Sequence, residues 1–554
     1  MKYKISIIIS VALLLSFLTT YATDSYYYKV NKAFEVFGEF FREITTNYVI
    51  DVDPEYLMNK GIEGMLADLD PYTVYMSKEE TDDIDIITNG KYTGFGITVA
   101  ERDSMIAIVD IMDGFSAQRT GLRIGDRIYS INSENMVNKT PADLRKYSRG
   151  KIGESVKMRI LRGKMSDTIN LDLAREEIKL KNVTCAKIID DQYGYIKIER
   201  FARKTAAEVR TALYKFKRQI ELRGVIIDLR DNPGGLLEAS VEVAEIFLPV
   251  NSLIVTTRGR ANGYGNVREY NSVIEPMMPE IPLAVLINGG SASASEVLAG
   301  CFQDLDRAVV LGETSYGKGL VQTVVSLPHD NSLKITTARY YTPSGRCIQK
   351  YEYHDREKQQ IVKADSIVFL TRAGREVVEA LGIIPDSVIK AEVNPKILNE
   401  ITSSGVLFDF ASDYCTGIDS LEEDFVVNKV ILSIFHKYLL SADFIDITEI
   451  GNNLSKLREI SSDGDYSEET RNDIKLIGEQ FKKDEISQIK KHGVKLSKLL
   501  DYEISRRFFS HKTMMERIIR TDGLVKTASE LLGDRKYKTI LSINQKSVLD
   551  VDND

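Results

Sequence analysis

The sequence predicts a mixed α/β protein in which a layered central domain carries a separate β-rich module and is flanked by helical regions. Strand-like and helix-like segments alternate through residues 179–395, which is the pattern of a sheet covered by helices. Short β-rich runs separated by turns fill residues 91–178. Residues 30–90 and 396–554 instead repeat apolar residues at the spacing of amphipathic helices.

The composition is that of a globular chain large enough for several domains. The 554 residues are 43% hydrophobic and 28% charged, and the net charge of -8 argues against a nucleic-acid partner. The four cysteines show neither CxxC pairing nor zinc-ligand spacing. Buried free thiols are therefore the favoured interpretation of Cys185, Cys301, Cys347 and Cys415, with one disulfide left open. No cofactor and no metal site is predicted.

The first 22 residues have the features of a signal peptide. Lys2 and Lys4 precede an apolar run over residues 7–18, and Thr20 and Ala22 are small residues at the positions a signal peptidase inspects. The run is short for a membrane span, so cleavage is favoured over an uncleaved anchor. We therefore expect an exported protein of the periplasm or cell envelope, with a membrane-anchored form as the alternative.

The residue patterns predict helices and strands at particular segments of the chain. Two helices are expected in FEVFGEFFREITTNYV and PEYLMNKGIEGMLADL, followed by a turn over residues 69–77 that contains Pro71. The β-rich module includes one short helix, PADLRKYSRG. The central domain has predicted strands YGYIKIERF, GVIIDLR, PLAVLING, RAVVLGE, LVQTVVSL and LKITTARYY, with helices KTAAEVRTALYKFKRQI, LLEASVEVAEIFL and SASEVLAGCFQDL.

The first candidate site is the segment NGGSASASEVLAG at residues 288–300. A buried strand ends in two glycines, and a helix starts within the serines. A serine at such a junction lies near unpaired backbone N–H groups at the positive end of a helix dipole, which can hold a developing oxyanion. The alternative is a structural role, because serine is a favoured helix N-cap.

Two further segments could complete a site. GETSYGKGLVQ at residues 312–322 places Lys318 between glycines; it nearly matches a phosphate-binding loop, but Gly319 stands where that loop needs Ser or Thr, and a strand follows. A nucleotide-binding function is therefore not favoured. DLRDNPGG at residues 228–235 ends a strand in a turn whose bare backbone can approach a ligand closely, although an ordinary tight turn is the alternative.

These segments together resemble the C-terminal processing peptidases, or tail-specific proteases. DLRDNPGG, SASASE, GKGxVQ and RYYTPSGRCIQ (residues 339–349) occur in the order of that family, across roughly residues 30–390. The resemblance implies a ClpP/crotonase-like α/β protease core with an inserted β-rich PDZ domain, a helical N-terminal region and a helical C-terminal extension. Together with the patterns along the chain, it gives the expected boundaries 1–22 signal peptide, 23–90 helical region, 91–178 PDZ domain, 179–395 protease core and 396–554 helical extension, of which the first and the last lie outside the resemblance.

The same resemblance assigns roles to particular residues. Ser293 would be the nucleophile, Lys318 its general base and Gln322 the residue that orients the lysine. The oxyanion donors would be the amide of Ala294 and one from the glycine turn. Either Gly234 or Gly235 would serve.

The resemblance also assigns a binding function to the β-rich module. The loop Gly94, Phe95, Gly96 and Ile97 would receive a peptide carboxylate, as PDZ domains bind a terminal peptide by strand addition. The expected partners are protein substrates with exposed apolar C-termini. A membrane-anchored or adaptor partner and an oligomeric assembly are left open.

The sequence leaves two alternatives to a serine–lysine peptidase. A non-catalytic peptide-binding scaffold would keep the same fold, but the presence of the serine, lysine and glutamine gives no sign of lost activity. A histidine base would have to come from His329 or His354, the two histidines of the catalytic region, and His329 is expected in a surface turn. The segment 396–554 exceeds the minimal family form, and a partner-docking role and a purely structural role are weighted equally.

Overall fold

The computed structural model describes residues 26–163, 167–260, 266–353, 359–361, 367–379, 381–390, 392–441 and 448–542. The predicted signal peptide lies outside these residues. The chain divides into two compact units. The first comprises Met1–Met76, Gln322–Thr336 and Glu352–Gln360, and the second comprises Ser77–Val321, Thr337–Tyr351 and Ile361–Asp554.

The described residues of the first unit include two helices and a strand pairing. Helix α1 covers residues 26–47. Helix α2 (Pro54–Ala67) begins after Asp53, whose side chain accepts hydrogen bonds from two backbone amides of its first turn. Strand β1 (Val74–Met76) pairs antiparallel with the first residues of β18 (Ser332–Tyr341). The prediction of a turn over residues 69–77 was therefore too long, because the second half of that segment is held as a strand by β18.

The β-rich module opens the second unit. Helix α3 (Lys78–Asn89) precedes a sheet with the strand order β3-β4-β5-β7-β8, in which β6 pairs with β5. The strands and helices of this module are β2 (Lys91–Gly94), β3 (Ile97–Arg102), β4 (Met105–Ile111), α4 (Ser116–Arg119), β5 (Arg127–Ile131), β6 (Glu134–Asn135), α5 (Pro141–Ser148), β7 (Ser155–Arg162), β8 (Asp167–Ala174) and β9 (Glu176–Lys179). Inward-facing residues of β4, β5 and β7 form its core.

The central domain contains a six-stranded sheet with the order β10-β11-β12-β15-β16-β23. Only the β10–β11 pair is antiparallel, and β12 and β15 are buried along their whole length, which explains their continuous apolar sequences. The elements are β10 (Val183–Ile189), β11 (Tyr193–Ile198), α6 (Thr205–Gln219), β12 (Gly224–Asp228), α7 (Leu237–Ala244), β15 (Leu283–Ile287), α8 (Ala294–Asp304), β16 (Val309–Gly312) and β23 (Ser387–Val388). The expected alternation of strands and helices is confirmed, and β23 is a strand that the sequence did not reveal.

Further strands lie outside this sheet. The second half of β18 pairs with β13, which also pairs with β14. Their bounds are β13 (Leu253–Gly259), β14 (Arg268–Asn271), β17 (Leu320–Ser326), β19 (Tyr351–Tyr353), β20 (Gln359–Ile361), β21 (Val368–Leu370) and β22 (Glu376–Val378).

The C-terminal region is helical, as predicted. Its helices are α9 (Lys396–Ser404), α10 (Val406–Tyr414), α11 (Lys429–Ser441), α12 (Glu449–Asp463), α13 (Glu468–Lys491), α14 (Gly493–Ser505), α15 (His511–Thr521), α16 (Gly523–Gly533) and α17 (Lys536–Ser542). The run DEISQIKKHGVKLSKLLDYEISRRFF is broken at His492, where α13 ends and α14 begins. Arg102 of the β-rich module forms an ion pair with Asp409 of α10.

All four cysteines are buried and free, which confirms the favoured interpretation. Within the described ranges, no helix has the length and apolar character needed to cross a membrane.

Candidate active site

The serine-rich junction is a strained turn between a buried strand and a buried helix. Chain direction reverses after β15, and α8 starts at Ala294. Ser293 stands at the turn with φ 56° and ψ −116°, a backbone conformation that is costly for a residue with a side chain. Such strain concentrates at functional sites, and a strained strand-to-helix turn is how other hydrolases present a nucleophilic serine.

Of the three serines at this junction, Ser291 and Ser295 use their hydroxyls to donate hydrogen bonds to the backbone of the segment DLRDNPGG, and Ser293 does not. Ser291 Oγ donates to the carbonyl of Leu229 at 2.8 Å, and Ser295 Oγ donates to the carbonyl of Asn232 at 2.9 Å. Both are completely buried, whereas Ser293 keeps 6% of its surface exposed. The geometry therefore distinguishes Ser293 from its two neighbours as the candidate nucleophile.

The glycine turn after β12 lies directly against this junction. A Cβ on Gly234 would lie 2.9 Å from the amide nitrogen of Ala294 and 2.7 Å from the carbonyl of Ala292, so only glycine fits there. Gly234 N–H donates to Asn232 Oδ1 at 2.9 Å and is thereby occupied. Among the hydrogen bonds of the described residues, none uses the amides of Gly235 or Ala294.

Glu296 ties the candidate nucleophile to the loop of the candidate base. Its fully buried carboxylate accepts from the amides of Ser293 and Lys318 through Oε2, both at 2.8 Å. Oε1 accepts from the amide of Gly317 at 2.7 Å and from the Ser315 hydroxyl at 2.5 Å. Burial raises the pKa of Glu296 above its ordinary value, and the donated hydrogen bonds oppose that rise.

Lys318 lies half-buried in the loop between β16 and β17. A strand rather than a helix follows it, as the sequence predicted, so this loop does not have the local structure of a phosphate-binding loop. Its backbone position is set by Glu296, which also fixes the Ser293 amide. The two residues 25 apart in sequence are thus held by one carboxylate.

Tyr340 of β18 provides the other contact to the serine. Its phenolic oxygen lies 3.2 Å from Ser293 Oγ, and the tyrosine is buried. The Tyr340 amide donates to the carbonyl of Gly319 at 2.8 Å, which anchors the strand beside the residue that follows Lys318. Burial raises the pKa of the Tyr340 phenol to about 12.

Gln322 belongs to the first unit, where its side chain is held by polar neighbours. Its amide nitrogen donates to Thr336 Oγ1 at 3.3 Å, and that hydroxyl donates to Asp70 Oδ1 at 3.0 Å. Asp70 also accepts from the amide and hydroxyl of Thr73. The orienting role of Gln322 stays a prediction, with its side chain placed by this chain of hydrogen bonds.

The histidine alternative gains no support from the described residues. His329 lies in an exposed turn between β17 and β18 with φ 61°, and His354 lies outside the described residues. In the part of the chain that is described, no histidine shares a hydrogen bond with Ser293.

The predicted peptide-binding loop borders a groove in the β-rich module. Strand β3 is the edge strand of its sheet. A groove of about 710 Å³ runs beside it, with Gly94, Phe95 and Ile97 in its wall and α3 and α5 on its other sides. Gly96 has φ 78°, and a Cβ there would collide with Phe115, so the loop needs glycine.

Both apolar and charged side chains line this groove. Apolar side chains of Ile86, Val99 and Leu144 line it. Arg145 of α5 also lines it and donates to Asp83 of α3 at 2.7 Å. An edge strand facing a helix across an apolar groove is suited to strand addition by an extended peptide.

Comparison with known proteins gives matches along most of the chain. Residues 192–356 match peptidase family S41, and residues 83–161 match the PDZ domain. Residues 19–80 match the activating protease CtpB N-terminal domain, and residues 397–532 match the C-terminal helical domain of a probable PDZ-protease. A carboxy-terminal-processing protease of Bartonella bacilliformis is 36% identical over 316 residues, which are 56% of this chain and 72% of that protein.

The chain belongs to peptidase family S41. It is a serine peptidase with a PDZ domain, as the resemblance predicted, and the α/β fold class is confirmed. Carboxy-terminal processing protease CtpB of Bacillus subtilis is 34% identical over 325 residues, 58% of this chain and 65% of that protein. Among solved structures, a photosystem II D1 C-terminal processing protease is 25% identical, with 65% of this chain and 88% of that chain covered and a TM-score of 0.35.

Two residues of the candidate site, Glu296 and Tyr340, were not predicted from the sequence. Glu296 follows Ser293 at the three-residue spacing of a capping box, a pattern that could have drawn attention to it. Tyr340 lies in the RYYTPSGRCIQ motif, to which the sequence alone assigns no function. Its contact with Ser293 joins residues 47 apart and had no local sequence signal.

Proposed function

We propose that this S41 peptidase is an exported endopeptidase that cleaves proteins near or from their C-termini with Ser293 as nucleophile and Lys318 as general base. The observation that carries the proposal is the strained position of Ser293 against the glycine turn and next to the Ala294 amide, which no hydrogen bond of the described residues uses. The oxyanion would be bound by the amides of Ala294 and Gly235, because the Gly234 amide is occupied by Asn232.

In the mechanism, neutral Lys318 takes the proton of Ser293 Oγ while that oxygen attacks the scissile carbonyl. Negative charge moves to the carbonyl oxygen, toward the two amides. The protonated lysine then returns the proton to the leaving amine, and water hydrolyses the acyl-enzyme by the same steps. Gln322 would keep the amine oriented. A protonated ammonium cannot perform the first step, so the active form carries an uncharged Lys318.

Substrate selection is proposed to lie in the PDZ groove. A peptide would add to the free edge of β3, place its terminal carboxylate at the loop Gly94, Phe95, Gly96 and Ile97, and bury an apolar last residue. The apolar lining of the groove supports this preference. Export to the periplasm or cell envelope rests on the sequence of residues 1–22, and sequencing the N-terminus of the mature protein would test cleavage after Ala22.

The central test uses protein that lacks residues 1–22 and an unfolded substrate ending in apolar residues. Wild type and His329→Ala should cleave it, whereas Ser293→Ala and Lys318→Ala should not. Cleavage by Ser293→Ala would refute the nucleophile assignment. Cleavage by Lys318→Ala together with loss in His329→Ala would instead identify a histidine base.

A replacement of the substrate's last apolar residues by Asp tests the proposed recognition. Cleavage should slow while cleavage of a generic short peptide by the same enzyme stays constant. Equal cleavage of both unfolded proteins would refute a preference for apolar C-termini.

A further inference from the structure

The side chain of Tyr340 contacts that of the candidate nucleophile, Ser293. Its phenolic oxygen and Ser293 Oγ are 3.2 Å apart, at hydrogen-bond distance for two hydroxyl groups. Tyr340 is 4% exposed and Ser293 is 6% exposed, so bulk water competes little for this contact.

The main chain holds Tyr340 firmly at this position. Its amide donates to the carbonyl of Gly319 at 2.8 Å, directly after Lys318. On the other side, β18 pairs with β13, where Tyr340 is in register with Thr257. The main chain of Tyr340 is therefore fixed beside the loop that carries Lys318, and its phenol lies against Ser293.

The protonation state of the phenol limits what it can do. Burial raises the pKa of Tyr340 to about 12, and the nearby charge of Glu296 acts in the same direction. The phenol is neutral in the neutral pH range, so it does not act as the general base. A neutral phenol can donate one hydrogen bond and accept others, and its hydrogen rotates to suit its partner.

We propose that Tyr340 is a catalytic residue that donates a hydrogen bond to Ser293 Oγ while this oxygen transfers its proton to Lys318. This inference rests on the proposed function of the Ser293–Lys318 pair. The phenolic proton stays on Tyr340 throughout. The proton of Oγ moves to Lys318, the new bond forms between Oγ and the carbonyl carbon, and the electron pair of the carbonyl bond moves to its oxygen.

The hydrogen bond acts where negative charge first builds up. A hydrogen bond to a charged oxygen is about twice as strong as one between neutral groups, so the bond from Tyr340 strengthens as Oγ loses its proton. Interactions that are stronger in the transition state than in the ground state raise the rate of the chemical step.

The test compares Tyr340→Phe with the neighbouring Tyr341→Phe. Tyr341 is half-buried, and its ring packs against Arg258 with the guanidinium 4.3 Å from the ring centroid. Each variant loses one phenolic oxygen from the same strand, but only Tyr340→Phe loses the contact with Ser293. The readouts are kcat and KM on a peptide substrate, the rate of acylation by a fluorophosphonate probe, and thermal unfolding.

We expect Tyr340→Phe to lower kcat and the acylation rate by roughly 10- to 100-fold, as expected for one hydrogen bond to a charged group. KM and the unfolding temperature should remain close to those of Tyr341→Phe, which should behave as wild type. A wild-type acylation rate in folded Tyr340→Phe would overturn the proposal. So would an equal loss in both variants, which would indicate a structural effect of the strand.

A second substitution covers the case in which Tyr340→Phe does not fold. Fluorinated tyrosine at position 340 keeps the hydrogen bond and makes the phenol a stronger donor, so the acylation rate should change; an unchanged rate would overturn the proposal. Ser293→Ala and Lys318→Ala run alongside. Cleavage by either would refute the proposed function itself, whereas loss in both with full activity in Tyr340→Phe would refute only this inference.

Discussion

Replacing Glu296 by Gln should uncouple the nucleophile from the base without changing the size of the side chain. The carboxylate accepts four hydrogen bonds, two at each oxygen. The NH2 group of Gln is best placed at the position of Oε1, where it can donate to the Ser315 hydroxyl oxygen. There it faces the N–H of Gly317, which then has no acceptor. One orphaned buried donor costs about 1–3 kcal/mol, and the remaining bonds lose their charge assistance.

We therefore expect Glu296→Gln to lose about 2–4 kcal/mol of unfolding free energy in a denaturant titration. Activity should fall further than stability alone explains, on the order of 100-fold in kcat/KM, because small displacements of reacting groups are costly. Glu245→Gln is the matched control, since Glu245 is also buried but its carboxylate accepts one hydrogen bond from the described residues, from the amide of Val273, which Gln can keep. Wild-type activity and stability in Glu296→Gln would refute the argument that this carboxylate positions the site.

Three other outcomes follow from buried groups. Arg346→Ala should lose about 3–5 kcal/mol of unfolding free energy in urea, because it leaves the carboxylate of Asp304 buried without its cation. Tyr537→Phe should lose about 1 kcal/mol by the same measurement, since its phenol accepts from the amide of Leu283 at 3.0 Å. A thiol reagent at neutral pH should modify the folded protein slowly and the unfolded protein fully, because burial raises the pKa of the thiols of Cys185, Cys301, Cys347 and Cys415.

The fold was largely predictable because the repeats of apolar residues that define its helices and strands are visible in short segments of sequence. The continuous apolar strands β12 and β15 and the helix α6 each carry their own pattern of burial. Strands β1 and β23 were missed because each has only two or three residues and is held by a partner far away in sequence. Their strand conformation is a tertiary effect, which a local pattern does not encode.

The site was predictable to the extent that motifs carry it. The serine junction and the glycine turn could be proposed from local sequence, and the resemblance selected Ser293 and Lys318. Whether Gly234 or Gly235 offers its amide depended on the side chain of Asn232, which occupies one of them. The contact of Tyr340 with Ser293 could not be predicted, because it depends on the pairing of β18 with β13, a strand that is distant in sequence.

The C-terminal extension is best understood through the two faces of the core sheet. A mostly parallel sheet needs cover on both faces, and α6, α7 and α8 supply it on only one. Residues that alternate with those of the first face, such as Tyr195, Ile226 and Leu286, pack instead against helices α15–α17. Helices α9, α10, α11, α13 and α14 build their own apolar core, and α10 contacts the PDZ domain through the ion pair of Asp409 with Arg102. The final helices therefore complete the protease core itself, which favours the structural role for that part of the extension.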